Sequence, residues 1–256
     1  MKDKNVSLSD EIRAVIFGSL LGDGSLKIHK NYKNARFSFR HSANQKEYFF
    51  WKVSKLKEIS STKSVFVQKS DGFSTQKKLR YQSQALESLT DLYHAVHRKN
   101  KLKISRKWLN QMTELSLAIW WLDDGSIIAN GRKGVFCTDG FDEKSVKLLT
   151  RYLNKVWGIN VHPAAISRSR ENGYKKEEYW RLWIRSTEEL KKFLRLILPH
   201  IKVPETLPKV ILMYNDSKLQ QRWISEVVSK TGFSQEDVEK YLLAKKNKWK
   251  RFQKMI

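Results

Sequence analysis

Two stretches of this chain do the same unusual thing. Residues 16–28 read IFGSLLGDGSLKI, and residues 117–128 read LAIWWLDDGSII. A helix that is apolar on every side must be buried. Each of these runs straight into an aspartate followed by glycine, at Asp23-Gly24 and Asp124-Gly125. A helix C-terminus already carries partial negative charge and free carbonyls, so a carboxylate there stabilises neither helix. A single Asp-Gly is ordinarily just a turn. Two of them, 101 positions apart and each closing a buried helix, call for a compensating charge. A divalent cation is the simplest, since magnesium takes carboxylate, water and phosphate oxygens. Ions held there can activate a water and stabilise the leaving oxygen of a phosphodiester.

What surrounds the two runs also repeats. The first helix starts at Ser9-Asp10, whose side chains can cap first-turn amides. Gly18 and Gly22, one turn apart, let another helix approach backbone to backbone, and Gly24 reads as a left-handed stop signal. The second helix starts after Thr113 and offers the small residue Ala118 at the same seam. The strand-like segments SLKIHK and ARFSFRHS follow the first helix, then a helix near 45–59, strands SVFVQKS and KLRYQSQA, and a helix near 85–97. The second is followed by SIIAN and GVFCTD, a helix near 142–157, VHPAAISRS, YWRLWIRS, and a helix near 187–198. Period-two strands and period-3.6 helices in this order predict an α+β protein of two pseudo-symmetric αββαββα halves. The halves span 1–98 and 113–215, joined by a basic linker at 99–112, with a basic helical extension at 216–256.

The charge balance names the partner. Fifty Lys plus Arg face 26 Asp plus Glu, a net charge of +24, which points to a polyanion and foremost to nucleic acid. No run of apolar residues is long enough to span a bilayer, so no membrane partner is expected. The single cysteine, Cys137, excludes an internal disulfide and suits a reducing, intracellular compartment. Along the strands the polar residues fall on one face: Arg36, Ser38 and Arg40 opposite Phe37 and Phe39, then Arg80, Gln82 and Gln84. In the second half Arg181, Trp183 and Arg185 alternate with Leu182 and Ile184, while Arg168 and Arg170 close a strand. Lys27, His29 and Gln68 complete the expected DNA contacts. Arg and Gln are the side chains that read purine edges bidentately.

The phrases IFGSLLGDG and LAIWWLDDG resemble the two signature helices of the LAGLIDADG homing endonucleases in their single-chain, two-motif form. The resemblance covers the chain up to about residue 215. It implies a saddle of two four-stranded antiparallel sheets, the motif helices at its central interface, acting as a monomer on a long asymmetric double-stranded DNA site. It implies hydrolysis of both strands with two or three Mg2+ ions shared between Asp23 and Asp124, Mn2+ or Ca2+ substituting for binding. The last acidic residue of each motif binds metal, which carries over to Asp23 and Asp124. Gly22 and Asp123 occupy the preceding slot, where the backbone carbonyl rather than the side chain is the expected ligand. The family's basic residue late in each half maps onto Lys101, with Lys103 as rival, and onto Lys209. A lysine there would stabilise charge developing on the phosphate.

Two other activities fit the same fold: an RNA maturase acting on intron RNA, and a DNA-binding protein without catalysis. Intact aspartates in both motifs argue against the latter. In the tail, Ser234 with Asp237 three residues on marks a helix start, and Thr231-Gly232 a turn between two helices, as in a small helix-turn-helix.

Overall fold

The computed structural model describes residues 7–68, 77–129, 131–169 and 176–253. Helix α1 (Asp10–Leu21) begins where Ser9 accepts a hydrogen bond from the Ile12 amide, with Asp10 and Glu11 in its first turn. Both features favour that end of a helix, where amides are free and the dipole is positive. The chain then forms β1 (Gly24–Lys27) and β2 (Arg36–Ser42), helix α2 (Lys46–Ser54), β3 (Val65–Gln68) and β4 (Lys78–Gln82), and helix α3 (Glu87–Val96). The strands make one antiparallel sheet in the order β1-β2-β4-β3. Its apolar face carries Phe37, Phe39 and Tyr81, all buried, and Phe39 meets Phe49 of α2 at 5.3 Å between ring centres.

The basic segment after α3 is itself folded. Strands β5 (His97–Arg98) and β6 (Lys101–Leu102) form a hairpin whose turn residues, Lys99 and Asn100, both have positive φ, 50° and 60°. Helix α4 (Arg106–Leu109) then buries Trp108 completely, its ring stacked 5.5 Å from that of Phe17 in α1. A residue read as connector is thus part of the core around the first motif helix.

The second motif helix, α5 (Glu114–Asp124), opens with a reciprocal cap: Thr113 and Ser116 each accept from the other's amide, at 3.4 and 3.2 Å. Seven consecutive residues, Ser116 to Leu122, are buried. The reason α1 and α5 must carry small residues is direct. A Cβ placed on Gly18 would lie 2.4 Å from the Ser116 carbonyl oxygen and 2.9 Å from Cβ of Ile119. One on Gly22 would lie 2.5 Å from Cβ of Asp123. Ala118 is fully buried beside them in sequence. Gly24 corrects the sequence reading: it does not adopt positive φ, but opens β1 against Ser19, where a Cβ would come within 2.6 Å of that side chain and 2.8 Å of its backbone. Space, not a left-handed turn, demands this glycine.

The chain divides into two compact units after Asp123. The second contains β7 (Gly125–Ile128), β8 (Lys133–Phe136), α6 (Glu143–Val156), β9 (His162–Ser169), β10 (Lys176–Ile184) and α7 (Thr187–Ile197). Its four strands form an antiparallel sheet in the order β7-β8-β10-β9, the same pattern as the first. Both motif helices therefore head an αββαββα series. The tail forms α8 (Ser217–Thr231) and α9 (Gln235–Gln253), separated by Gly232 at φ 79°. Ser234 caps the Asp237 amide at 3.1 Å. Trp223, Ile224, Val227, Val238 and Leu242 are buried, so this extension is packed onto its own unit. No helix among the described residues is long and apolar enough to cross a membrane.

Gly18→Ala should lower unfolding stability by about 2 kcal/mol or more, because the added methyl meets backbone rather than a movable side-chain end. Gly140→Ala, with nothing within 4 Å of the new atom, should change it by less than about 0.5 kcal/mol. Urea unfolding of the two variants beside wild type measures the contrast.

Candidate active site

At the end of α1 the backbone turns through Gly22 and Asp23 into β1, directly against the last turn of α5. The Asp23 amide donates to Oδ2 of Asp123 at 3.3 Å. The Asp123 side chain is fully buried, as is its principal partner, Lys52 on α2, whose Nζ lies 2.7 Å from Oδ2 and 3.0 Å from Oδ1. Tyr48, one turn earlier on α2, donates its hydroxyl to Oδ1 at 2.8 Å. Burial first, and then the charge of Asp123, hold the Tyr48 phenol well above its usual range, so it remains a donor. The Lys52 ammonium also lies over the ring of Phe39, 4.6 Å from its centre. A buried carboxylate must be paired and hydrogen-bonded to be tolerated, and Asp123 has both.

His41 joins this buried layer to the surface. It stands on β2 at the same parity as Phe37 and Phe39, and so points into the unit rather than away. Its Nδ1 lies 3.4 Å from Oδ2 of Asp23 and its Nε2 3.8 Å from Oδ1 of Asp123. Asp23, by contrast, is 44% exposed. Ligand atoms of Asp23, His41 and Asp123 thus fall within 4.8 Å of one another. Their chemistry is unequal. Asp123 already accepts from an ammonium, a phenol and an amide, so its charge is neutralised in place. Asp23 presents a carboxylate to solvent and fits a hard cation. The side chain of Asp123, expected to stand aside with its carbonyl as ligand, is instead the centre of the network. A carboxylate directed from α5 toward α2 meets Lys52, and only the tertiary fold reveals that.

The second motif has different company. The Cys137 amide donates to the Asp124 carbonyl at 3.0 Å, tying the end of α5 to the segment after β8. Burial pushes the Cys137 thiol up; around it Arg181 and Lys209 act as cations, Asp139 and Asp124 as anions. Lys209, half-buried at the end of a short 3₁₀ helix (Pro204–Lys209), and Asp124 thus act on one and the same thiol. Lys101 and Lys103 lie exposed on and just after the β5–β6 hairpin. His41 stands beside Asp23 and, one layer deeper, Lys52 pairs with Asp123.

The outward sheet faces carry the expected polar residues. Register places Ser25, Ser38 and Gln82 in one row, and Phe66, Arg80 and Arg40 in another. Lys27 pairs with Arg36, whose guanidinium sits 4.3 Å from the Tyr32 ring centre, and His29 meets the same ring edge-on. Gln68 ends β3, opposite Lys78. Gln84 is exposed but its amide is spent on the Ser60 carbonyl, at 2.7 Å. In the second sheet Trp183 is half-buried on β10 and Arg185 exposed just beyond it. Arg181 is held bidentately by Asp139, both contacts at 2.6 Å. Arg168 lies in β9, in register with Glu177; Arg170 lies outside the described residues.

Residues 13–194 match the model of the LAGLIDADG DNA endonuclease family. The chain belongs to that family. It is 31% identical over 215 residues to a protein RecA of Mycobacterium gastri, covering 76% of this chain and 46% of that protein. It is 29% identical over 162 residues to the cytochrome b mRNA maturase bI2 of Saccharomyces cerevisiae, covering 59% of this chain and 38% of the maturase. The chain therefore spans less than half the length of these curated relatives. Among solved structures, the homing endonuclease I-WcaI bound to its DNA recognition sequence is similar at a TM-score of 0.66 and 23% identity, over 82% of this chain and 89% of that one. The likeness shows a common LAGLIDADG fold.

Lys52→Met would strand the buried carboxylate of Asp123 and should cost about 3–5 kcal/mol in denaturant unfolding. Adding Asp123→Asn removes the orphaned charge and should recover a large part of that loss. A single variant within about 1 kcal/mol of wild type would show that the pair is not buried as described.

Proposed function

We propose that the protein is a site-specific endonuclease that cleaves both strands of a long, asymmetric DNA duplex with divalent cations. The observation that carries this reading is Asp23: a solvent-facing carboxylate at the end of a buried helix, its backbone amide donating to Asp123 and its side chain beside His41, over a neutralised ion pair. Nothing in helix stability rewards a carboxylate in that place. A network that fixes its backbone and ring neighbour suits a ligand that must arrive in one geometry.

In this reading Asp23 and Asp124 each supply a carboxylate for a cation. The cation, when bound, supplies Lewis-acid stabilisation of phosphoryl charge and a more acidic water. His41 orients the Asp23 carboxylate, while Asp123, Lys52 and Tyr48 hold the turn that carries it. Lys209 faces the charge that develops on the scissile phosphate. The Arg and Gln rows of the two sheets contact base edges and the lysines contact phosphates, so that the first set gives specificity and the second affinity. The kinship with a maturase supports a second reading, in which the same scaffold serves an intron RNA.

Cleavage of a randomised duplex library, with the ends sequenced, tests the proposal. Metal-dependent cuts at one long site are expected with magnesium, and none with a chelator. Asp23→Asn and Asp124→Asn should each lower cutting at least about hundredfold, while anisotropy in calcium still reports duplex binding. Tight duplex binding without cutting in any divalent metal would sink the nuclease reading and favour the RNA one.

A further inference from the structure

The C-terminal part of α9 has a composition that neither the sheets nor the aspartates account for. From Lys240 to Gln253, KYLLAKKNKWKRFQ, six side chains are basic and none is a carboxylate. Within it Lys246, Trp249 and Lys250 stand at i, i+3 and i+4, the spacing that shares one helix face. These three line a cavity of about 560 Å³ together with Arg132, Met213, Tyr214 and Asn215. Every charged group in that lining is a cation, and Tyr214 and Trp249 add two aromatic rings.

The walls are fixed. Lys245, the residue before the stripe, donates to the carbonyls of Pro208 and Ile211, both at 2.7 Å, and anchors α9 beside the 3₁₀ helix that bears Lys209. Arg132 follows Gly131, which needs its φ of 76° and its lack of a side chain: the Met213 amide donates to its carbonyl, and a Cβ would lie 2.8 Å from that of Met213. The Tyr214 amide is held by Gln220 at 2.9 Å, and the Lys191 ammonium lies 5.7 Å from the Tyr214 ring centre.

We propose that this cavity binds an unpaired nucleotide of a nucleic-acid strand. Arg132, Lys246 and Lys250 would take the phosphates, Trp249 and Tyr214 would stack on the base, and the Asn215 amide would meet the base edge. Cations alone would suit duplex phosphates. Aromatic rings among them suit a base withdrawn from a stack, available in single strands and in RNA loops. None of these lining residues belongs to a strand of either sheet, and the proposal does not depend on the nuclease reading.

Full-length protein would be titrated with a fluorescent twelve-residue oligo(U) and, separately, oligo(dT), in the presence of saturating unlabelled duplex. Binding of either strand is expected, and the two arms decide whether RNA or DNA is preferred. Trp249→Ala should weaken it roughly tenfold, Trp249→Phe should largely restore it, and Lys246→Gln with Lys250→Gln should flatten its salt dependence. Duplex binding should change less than twofold in both Trp249 variants. Photocrosslinking of a 5-iodouridine strand to wild-type protein should label the peptides holding Tyr214 or Trp249, whether or not a variant folds. Absence of single-strand binding, a Trp249→Ala affinity within twofold of wild type, or crosslinks only to sheet residues would overturn the assignment.

Discussion

A lysine ammonium and a carboxylate, both without solvent exposure, face each other at 2.7 Å between α2 and the end of α5. Taking two charges out of water costs several kcal/mol each, and their attraction repays this only with good geometry and filled hydrogen-bonding sites. That condition forces much of what lies nearby. Tyr48 must stay protonated, the Asp23 amide must point inward, and Gly22 must carry no Cβ, since Asp123 occupies that space. An apolar pair of the same volume would hold the helices together as well or better. What it would not do is grip the turn that bears Asp23. In this unit the ion pair is thus a constraint on position more than a source of stability.

The close approach of α1 and α5 is the second constraint, and it explains the residue types of both motifs. Ser116 and Ile119 press on Gly18, and Asp123 on Gly22, at distances no side chain could occupy. Bulk is displaced to other faces of the same helices. Phe17 goes to Trp108, and Trp120 and Trp121 are buried without exposure. Folding the 99–112 segment into the core follows, because α1 would otherwise leave Phe17 uncovered.

Most of this architecture was legible in the order of residues. Periodicity set the helices and strands, the alternation in ARFSFRH set the inward and outward faces, and Ser9 and Ser234 marked helix starts. Two details were not legible because they depend on what lies across space. Gly24 looks like a left-handed stop, whereas its neighbour Ser19 makes it a packing residue. Asp123 looks secondary to Asp124, since nothing nearby in sequence announces Lys52. Signals did exist. His41 shares the parity of Phe37 and Phe39, and Lys52 stands four residues after Tyr48 and three after Phe49, on the buried face of α2. A titratable residue on an otherwise apolar stripe indicates a partner, although the sequence does not say which.

The two halves repeat their scaffold but not their chemistry. Beside Asp23 the first unit places a histidine, with a buried Lys–Asp pair behind it; in the second the Cys137 amide bonds to the Asp124 carbonyl and Asp139 holds Arg181 bidentately. A homodimer of one half would be obliged to repeat a single environment. Joining two halves in one chain releases each carboxylate to be tuned by its own neighbours, and each sheet to present its own residues. The first sheet offers Arg80, Gln82 and Arg40 on its outward rows. In the second, Arg181 is restrained by Asp139, and Trp183 brings a large half-buried ring to the end of its strand. In the proposed endonuclease reading, unequal faces of this kind would match an unequal pair of half-sites, a target without a two-fold axis.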